Sequence, residues 1–337
     1  LNAVTAWTGS EPFMEVVGQQ TKHTPWIGMT AWDLIFPLFV FMSGVTMPYA
    51  LTGKLEKGVS KREVWKGLFR RMALLVLFGW SFSLFKLDWS QFKPSTVLSL
   101  IGVAYFIAGG VVIHRPVRSQ LAVAFGLLVG YALALQFIPA PGATAGPWTP
   151  TGNLAGYLDR HLIPGKLHMG IFDPEGTIRV LPAAAMALFG AVTGQALRNT
   201  STPTARLAGM IALTGVVGVI SGLMLGQIVP VIKPLWSSSY IVLSAGWSLI
   251  LLALFYLLVD VWKQRWLAFP FLPLGMNAIT IYVAAHYIDF KFTSSFFFGG
   301  LTQFDAEFGK VAITGGVLLV EWLLLYFLYR KKIFLRV

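Results

Sequence analysis

The chain is 337 residues long, 56% apolar and only 12% charged, whereas an ordinary soluble domain is about 25% charged. With a mean hydropathy of +0.69, these figures predict an integral membrane protein: an all-α polytopic helix bundle forming one domain over residues 1–337. The formal charge of +12 is then a topology signal and not a nucleic-acid footprint, and the absence of cysteine excludes disulfides, thiolate metal sites and a thiol acyl carrier.

The chain opens on Leu1, and residues 1–32 lack the basic, apolar and small-residue segments of a signal peptide. A further N-terminal membrane helix upstream is therefore expected. Crossing a hydrocarbon core takes about 20 apolar residues. Nine stretches qualify: 33–52, 66–85, 95–114, 118–139, 177–197, 206–230, 238–260, 267–288 and 309–330. Between the fourth and fifth lies the longest connection, 140–176, rich in proline and glycine and ending in Asp173-Pro174-Glu175-Gly176. A loop of this length is expected to be functional or disordered.

The connections alternate in basic content. Lys54, Lys57, Lys61, Arg62, Lys66, Arg70, Arg71, Arg115, Arg118, Arg198, Arg206, Lys263, Arg265, Arg330, Lys331, Lys332 and Arg336 share one side, 17 of the 26 basic residues. Most acidic residues, including Asp88, Asp159, Asp173 and Asp289, share the other. Basic loops are retained in the cytoplasm. The expected placement is thus a bacterial inner membrane, with residues 1–32 extracytoplasmic and the C-terminus cytoplasmic.

His23 and Asp33 stand at the lip of the first apolar stretch, in HTPWIGMTAWD. Ionisable groups at a membrane boundary are costly and point to function. Histidine exchanges protons near neutral pH, and a carboxylate beside it would hold its ring. Asp33 also fits Thr30-x-x-Asp33, a capping-box pattern that would satisfy backbone donors at a helix start. Asp173, Pro174 and Glu175 read as another helix start, with Glu175 and Arg179 at the spacing of an intrahelical pair. Tyr282, His286 and Asp289 share one helical face, readable equally as a substrate-facing cluster or an interfacial belt. Asn277 and Glu321 fall deep in spans, where an amide bonds between helices and a carboxylate suggests function. The chain carries no phosphate loop, no HExxH, no CxxC and no other metal-ligand pattern. From the residues alone, an enzyme and a solute transporter both remain open, and lipid-facing and partner-facing surfaces read alike, leaving a homo-oligomer open as well.

The run His23-x-x-Trp26-x-Gly28-Met29-Thr30-x-x-Asp33-x-Ile35-Phe36-Pro37 resembles the hallmark of the heparan-α-glucosaminide N-acetyltransferase family and its bacterial relatives. DPEGTIRVLPAAAMALFGAVTG from Asp173, PVIKPLWSSSYIVLSAG from Pro230 and PLGMNAITIYV from Pro273 resemble the same family in the same order. The resemblance implies acetyl transfer from cytoplasmic acetyl-CoA to the amino group of a glucosamine-type sugar across the bilayer, with His23 as the essential histidine. Ile27 stands where the family commonly has asparagine. In this reading His23 is a general base or transient acetyl acceptor and Asp33 its partner; Trp26, Lys233, Trp236 and His286 meet the acceptor sugar. Asn277, Lys66, Arg70 and Arg71 meet acetyl-CoA. The alternative is an amino-sugar transporter that makes no bond.

Overall fold

The computed structural model describes residues 11–84, 92–303 and 305–335; Asp88 and Arg336, counted in the charge pattern above, lie outside them. All regular structure among the described residues is helical, apart from isolated bridges that join Ile27 and Gly28 to Ile232. Among the described residues, eight helices are long and apolar enough to cross a membrane: Ala31–Glu56, Lys61–Leu84, Val97–His114, Val117–Phe137, Thr177–Arg198, Ala205–Leu225, Ser238–Val261 and Phe308–Arg330. They follow eight of the nine expected stretches. The chain is an integral membrane protein.

The eighth stretch, 267–288, is corrected. It breaks into Leu272–Met276 and Ala278–Tyr287, with Asn277 between them outside helical geometry. Pro270, Pro273, Gly275 and Asn277 crowd its first half, and such residues remove amide donors or weaken helices. The remaining 10-residue helix is too short for a 30 Å core at 1.5 Å per residue.

The chain packs into two compact units, the larger being His23–Leu257. Its first span is α-helical over Ala31–Met47 and widens into a π-turn at Pro48–Thr52, where Pro48 has no amide to give to the ladder. The fifth span lies at the centre, with Ala183, Ala184, Ala185, Ala187, Gly190, Ala191 and Gly194 all buried. Small side chains let backbones approach closely, which is how helices associate without a hydrophobic drive between them. A Cβ on Gly44 would collide with the Ala187 carbonyl, and one on Gly190 with that of Phe41. The first and fifth spans are thus in backbone contact, and around them Phe41, Tyr105, Trp236 and Tyr240 form the core.

The 140–176 connection is not the structureless loop its composition suggests. It holds a helix, Leu154–Leu162, started by Asn153, whose Oδ1 accepts the Gly156 amide at 2.6 Å. Gly176 is extended and the fifth span begins with a single 3-10 turn at Thr177–Arg179. Glu175 therefore lies outside the helix, and the expected intrahelical Glu175–Arg179 pair does not form; Arg179 bonds to Asp159 instead.

In the other unit, Phe290–Phe298 packs against the last span through Ser294 Oγ, which donates to the Ile313 carbonyl at 2.6 Å. His286, Asp289, Lys291 and Glu321 line a cavity of about 430 Å³. Asp289 also caps a helix, accepting the Phe292 amide at 3.0 Å. Asn277 is 2% exposed, and its Nδ2 has no hydrogen-bond partner among the described residues.

Candidate functional site

In the larger unit, helix alternation brings the starts of the first, third, fifth and seventh spans to one end. The segment before the first span arrives there as irregular backbone, bridged at Ile27 and Gly28 to Ile232. The Gly28 amide donates to the Val231 carbonyl at 2.8 Å, which ties this segment to the turn before the seventh span. Gly28 has φ +113, a conformation that side chains other than glycine rarely adopt. Trp26 anchors the segment from the other side. Its Nε1 donates to the Trp148 carbonyl at 2.7 Å, and its ring meets Phe172 edge-on at 5.4 Å.

Asp33, fully buried, is the hub of the site. Its Oδ2 accepts from the Thr24 amide at 3.2 Å, the Thr30 amide at 3.1 Å and the Thr30 hydroxyl at 3.1 Å. Asp33 thus caps its own helix, as the Thr30-x-x-Asp33 pattern predicts. Its Oδ1 faces His23 Nδ1 at 2.8 Å and Lys233 Nζ at 3.0 Å, and Lys233 Nζ lies 2.7 Å from His23 Nδ1. His23 Nδ1 thus meets both an acceptor, the carboxylate, and a donor, the ammonium; in the tautomer with the proton on Nδ1 it donates to Asp33 and leaves the Nε2 lone pair for chemistry. The His23 side chain is 59% exposed, whereas Asp33 is sealed beneath it. The Tyr240 hydroxyl secures the hub from below, donating to the Asp33 carbonyl at 2.6 Å.

Burying a carboxylate is costly unless it is paired and hydrogen-bonded. Five donors meet that requirement here, and they fix the ring that rests on it. The arrangement has the logic of a triad: an exposed imidazole, a buried carboxylate orienting it, and a lysine that neutralises the pair.

Of the site residues expected from sequence, His23, Asp33, Trp26 and Lys233 come together at this end. Lys233 meets the His23–Asp33 pair itself. Trp236 lies close in the chain but is 1% exposed, its ring packed edge-on against Phe36 and Tyr240. Lys66, Arg70 and Arg71 occupy the first turns of the second span, toward the opposite end. Lys66 pairs with Glu63 at 2.7 Å, and the Arg71 guanidinium lies 4.1 Å over the Tyr105 ring. Arg71 Nε is buried with no partner among the described residues, a donor that suits an anionic group. His286 and Asn277 belong to the other unit.

Residues that were not expected at the site complete the surroundings. Burial and the neighbouring Asp173 carboxylate push Glu175 up to about 8, against the pull of Arg179 and Lys233. His168 lies 3.1 Å from Lys93, and burial followed by that cation holds it below its ordinary value. Tyr240 and Thr24 act through a hydroxyl and an amide that are unremarkable in the sequence. Among the described residues, no group of three or more His, Asp or Glu side chains is placed to hold a metal ion.

A bundle of membrane-crossing helices carrying a His–Asp–Lys cluster at one end defines a polytopic membrane protein with a polar site at a membrane face. No family model matches the chain. Among curated proteins it is similar to heparan-alpha-glucosaminide N-acetyltransferase of Mus musculus, 27% identical over 374 aligned positions that cover 94% of this chain and 56% of that protein. The Homo sapiens protein of the same name is 28% identical over 379 positions, with the same shares covered. The chain is a distant homologue of this N-acetyltransferase family, and it spans about half the length of the curated relatives it matches.

Proposed function

We propose that this protein is a membrane acyltransferase that moves an acetyl group from acetyl-CoA to the amino group of a glucosamine-type sugar. The observation that carries this reading is His23: its side chain is 59% exposed while its Nδ1 rests 2.8 Å from the buried Asp33 carboxylate. A sugar amine is largely protonated near neutral pH and cannot attack until a base takes its proton. In the proposed step, Nε2 takes that proton, and the amine attacks the acetyl carbonyl. The thioester C–S bond then breaks, the CoA thiolate takes the proton back from the imidazolium, and the second proton of the attacking nitrogen leaves to water as the neutral amide forms. Asp33 stabilises the imidazolium formed between these events.

Homology to a family named for N-acetyl transfer supports the reaction class. The basic excess around Lys54 to Arg71, at the end away from His23, supports a cytoplasmic supply of acetyl-CoA and an extracytoplasmic acceptor, and a bacterial inner membrane is the placement this orientation suits. Arg71, with its unpaired buried Nε, and the exposed Lys66 and Arg70 are the groups on that side suited to CoA phosphates.

The test is His23→Ala in membranes given labelled acetyl-CoA and a glucosamine acceptor. Acetylation should be abolished; unchanged acetylation would refute the role of His23. Amino-sugar uptake into vesicles without acetylation would instead establish a transporter. A His23 peptide recovered with an added acetyl group, after acetyl-CoA alone, would replace direct transfer by a two-step route through the same nitrogen.

A further inference from the structure

A second ionic pair, Asp159 with Arg179, lies near the His23 site but outside it. Both side chains are fully buried, with Arg179 Nη1 donating to Asp159 Oδ2 at 2.6 Å. Buried ion pairs are poor stabilisers, because desolvation offsets their attraction and apolar replacements often do as well. Stability alone is therefore a weak account of this pair, and its other bonds show what it joins. Asp159 accepts the Asp173 amide at 3.1 Å and the Thr177 amide at 3.1 Å, so the helix of the long connection is tied to the start of the fifth span. Gly176 passes so close that a Cβ there would collide with the Asp159 carboxylate.

Arg179 then reaches one step further. Its Nε donates to the Pro234 carbonyl at 2.7 Å, gripping the 3-10 turn Lys233–Leu235. The Tyr131 hydroxyl grips the next carbonyl, that of Leu235, at 2.6 Å. The turn leaves through Trp236 at φ 52, and the Ile232 amide donates to Ser237 Oγ at 3.0 Å. Lys233 is carried on this clamped turn, one residue from the carbonyl that Arg179 holds. Its side chain is 18% exposed and ends 3.0 Å from Asp33 Oδ1 and 2.7 Å from His23 Nδ1.

We propose that the buried Asp159–Arg179 pair is the positioning element of the His23 site: by holding the Pro234 carbonyl it places the Lys233 ammonium against Asp33 and His23. Lys233 competes with the His23 ring for Asp33 Oδ1, so a shift of the turn by about 1 Å changes how the ring is held. A displacement of that size in a catalytic constellation costs on the order of 100-fold in rate. The inference rests on the acetyl-transfer reading for its rate effects, and its test has a second readout that does not.

The informative variant is Arg179→Lys, which keeps a cation for Asp159 but loses the Nε that bonds Pro234. Asp159→Asn/Arg179→Met removes both charges together and so leaves no orphaned charge to unfold the protein. Each variant is compared with Lys233→Met and with the combination of the two lesions, after thermal melts confirm folding. The first readout is acetylation. The second is the rate at which diethyl pyrocarbonate modifies His23, located by mass spectrometry, with exposed His161 as internal control. The expected result is a fall in kcat of about 10- to 100-fold with KM for acetyl-CoA unchanged, and a several-fold change in His23 modification in the same direction as Lys233→Met. In the Lys233→Met background the Arg179 lesion should add nothing, since it acts through Lys233. Full additivity in folded protein, or unchanged His23 modification in both Arg179 variants, overturns the proposal. Coupled modification rates without any acetylation by the unsubstituted protein would sustain the positioning role and sink acetyl transfer.

Discussion

Replacing Asp33 with asparagine inverts the hydrogen bond that sets the His23 ring. Five donors converge on the Asp33 carboxylate: the Thr24 amide, the Thr30 amide and the Thr30 hydroxyl on Oδ2, and His23 and Lys233 on Oδ1. An amide offers one oxygen and one NH2. The three Thr24 and Thr30 donors select the oxygen, so the helix cap survives, while Lys233 loses its counter-charge and the fold is destabilised by up to about 3 kcal/mol. The NH2 must then face His23 and Lys233. Its N–H donates to Nδ1, which drives the proton to Nε2 and removes the free lone pair on which the proposed proton transfer depends. The same inversion in a serine-protease triad costs about 10,000-fold in kcat, so the loss here is expected at about 1,000- to 10,000-fold, or about 4 to 5.5 kcal/mol of transition-state stabilisation. KM for acetyl-CoA should stay within a few-fold, because the change removes an interaction realised only during transfer. The assay is acetylation of a glucosamine acceptor by purified protein in detergent, alongside a thermal melt. A folded Asp33→Asn protein that keeps kcat within tenfold would refute the tautomer argument.

The parts of this architecture that depend on runs along the chain were legible in the sequence. Span lengths, the basic alternation and the Thr30-x-x-Asp33 cap are one-dimensional patterns, and eight of the nine expected stretches form crossing helices. The eighth, 267–288, misled because its apolar content outweighed the breakers Pro270, Pro273, Gly275 and Asn277. Arg179 misled differently. Its spacing from Glu175 suggested an i, i+4 pair, but that rule holds only inside a helix, and the chain is still extended at Gly176. Lys233 was singled out within PVIKPLW, yet its meeting with a histidine 210 positions away could not be read from spacing. That contact depends on how the turn before the seventh span is clamped, by Arg179 from the fifth span and Tyr131 from the fourth. Both clamps grip backbone carbonyls, which every residue carries, so no residue type in the turn advertises them.

Two further outcomes follow from packing and from charge. Gly190→Ala should destabilise the fold by about 2 to 3 kcal/mol, measured as a lower melting temperature in detergent, because its Cβ would strike the Phe41 carbonyl and neither backbone can yield; an unchanged melt would mean the first and fifth spans are not in backbone contact. Glu175 gives a pH signature. Its folded value, about 8, stands above the ordinary 4.5, so between these values the folded protein holds a proton that the unfolded chain has released. The stabilisation is fully present below about pH 4.5 and is lost as pH rises through about 8, since stability falls wherever the folded state binds more protons. Glu175→Gln keeps the neutral form at every pH, so its melting temperature should fall less than that of the unsubstituted protein between about pH 5 and 8. The two curves should converge at the acid end and separate toward pH 8, with the variant the more stable there. Parallel curves would show that Glu175 ionises as an ordinary surface carboxylate, and that burial beside Asp173 has no hold on its proton.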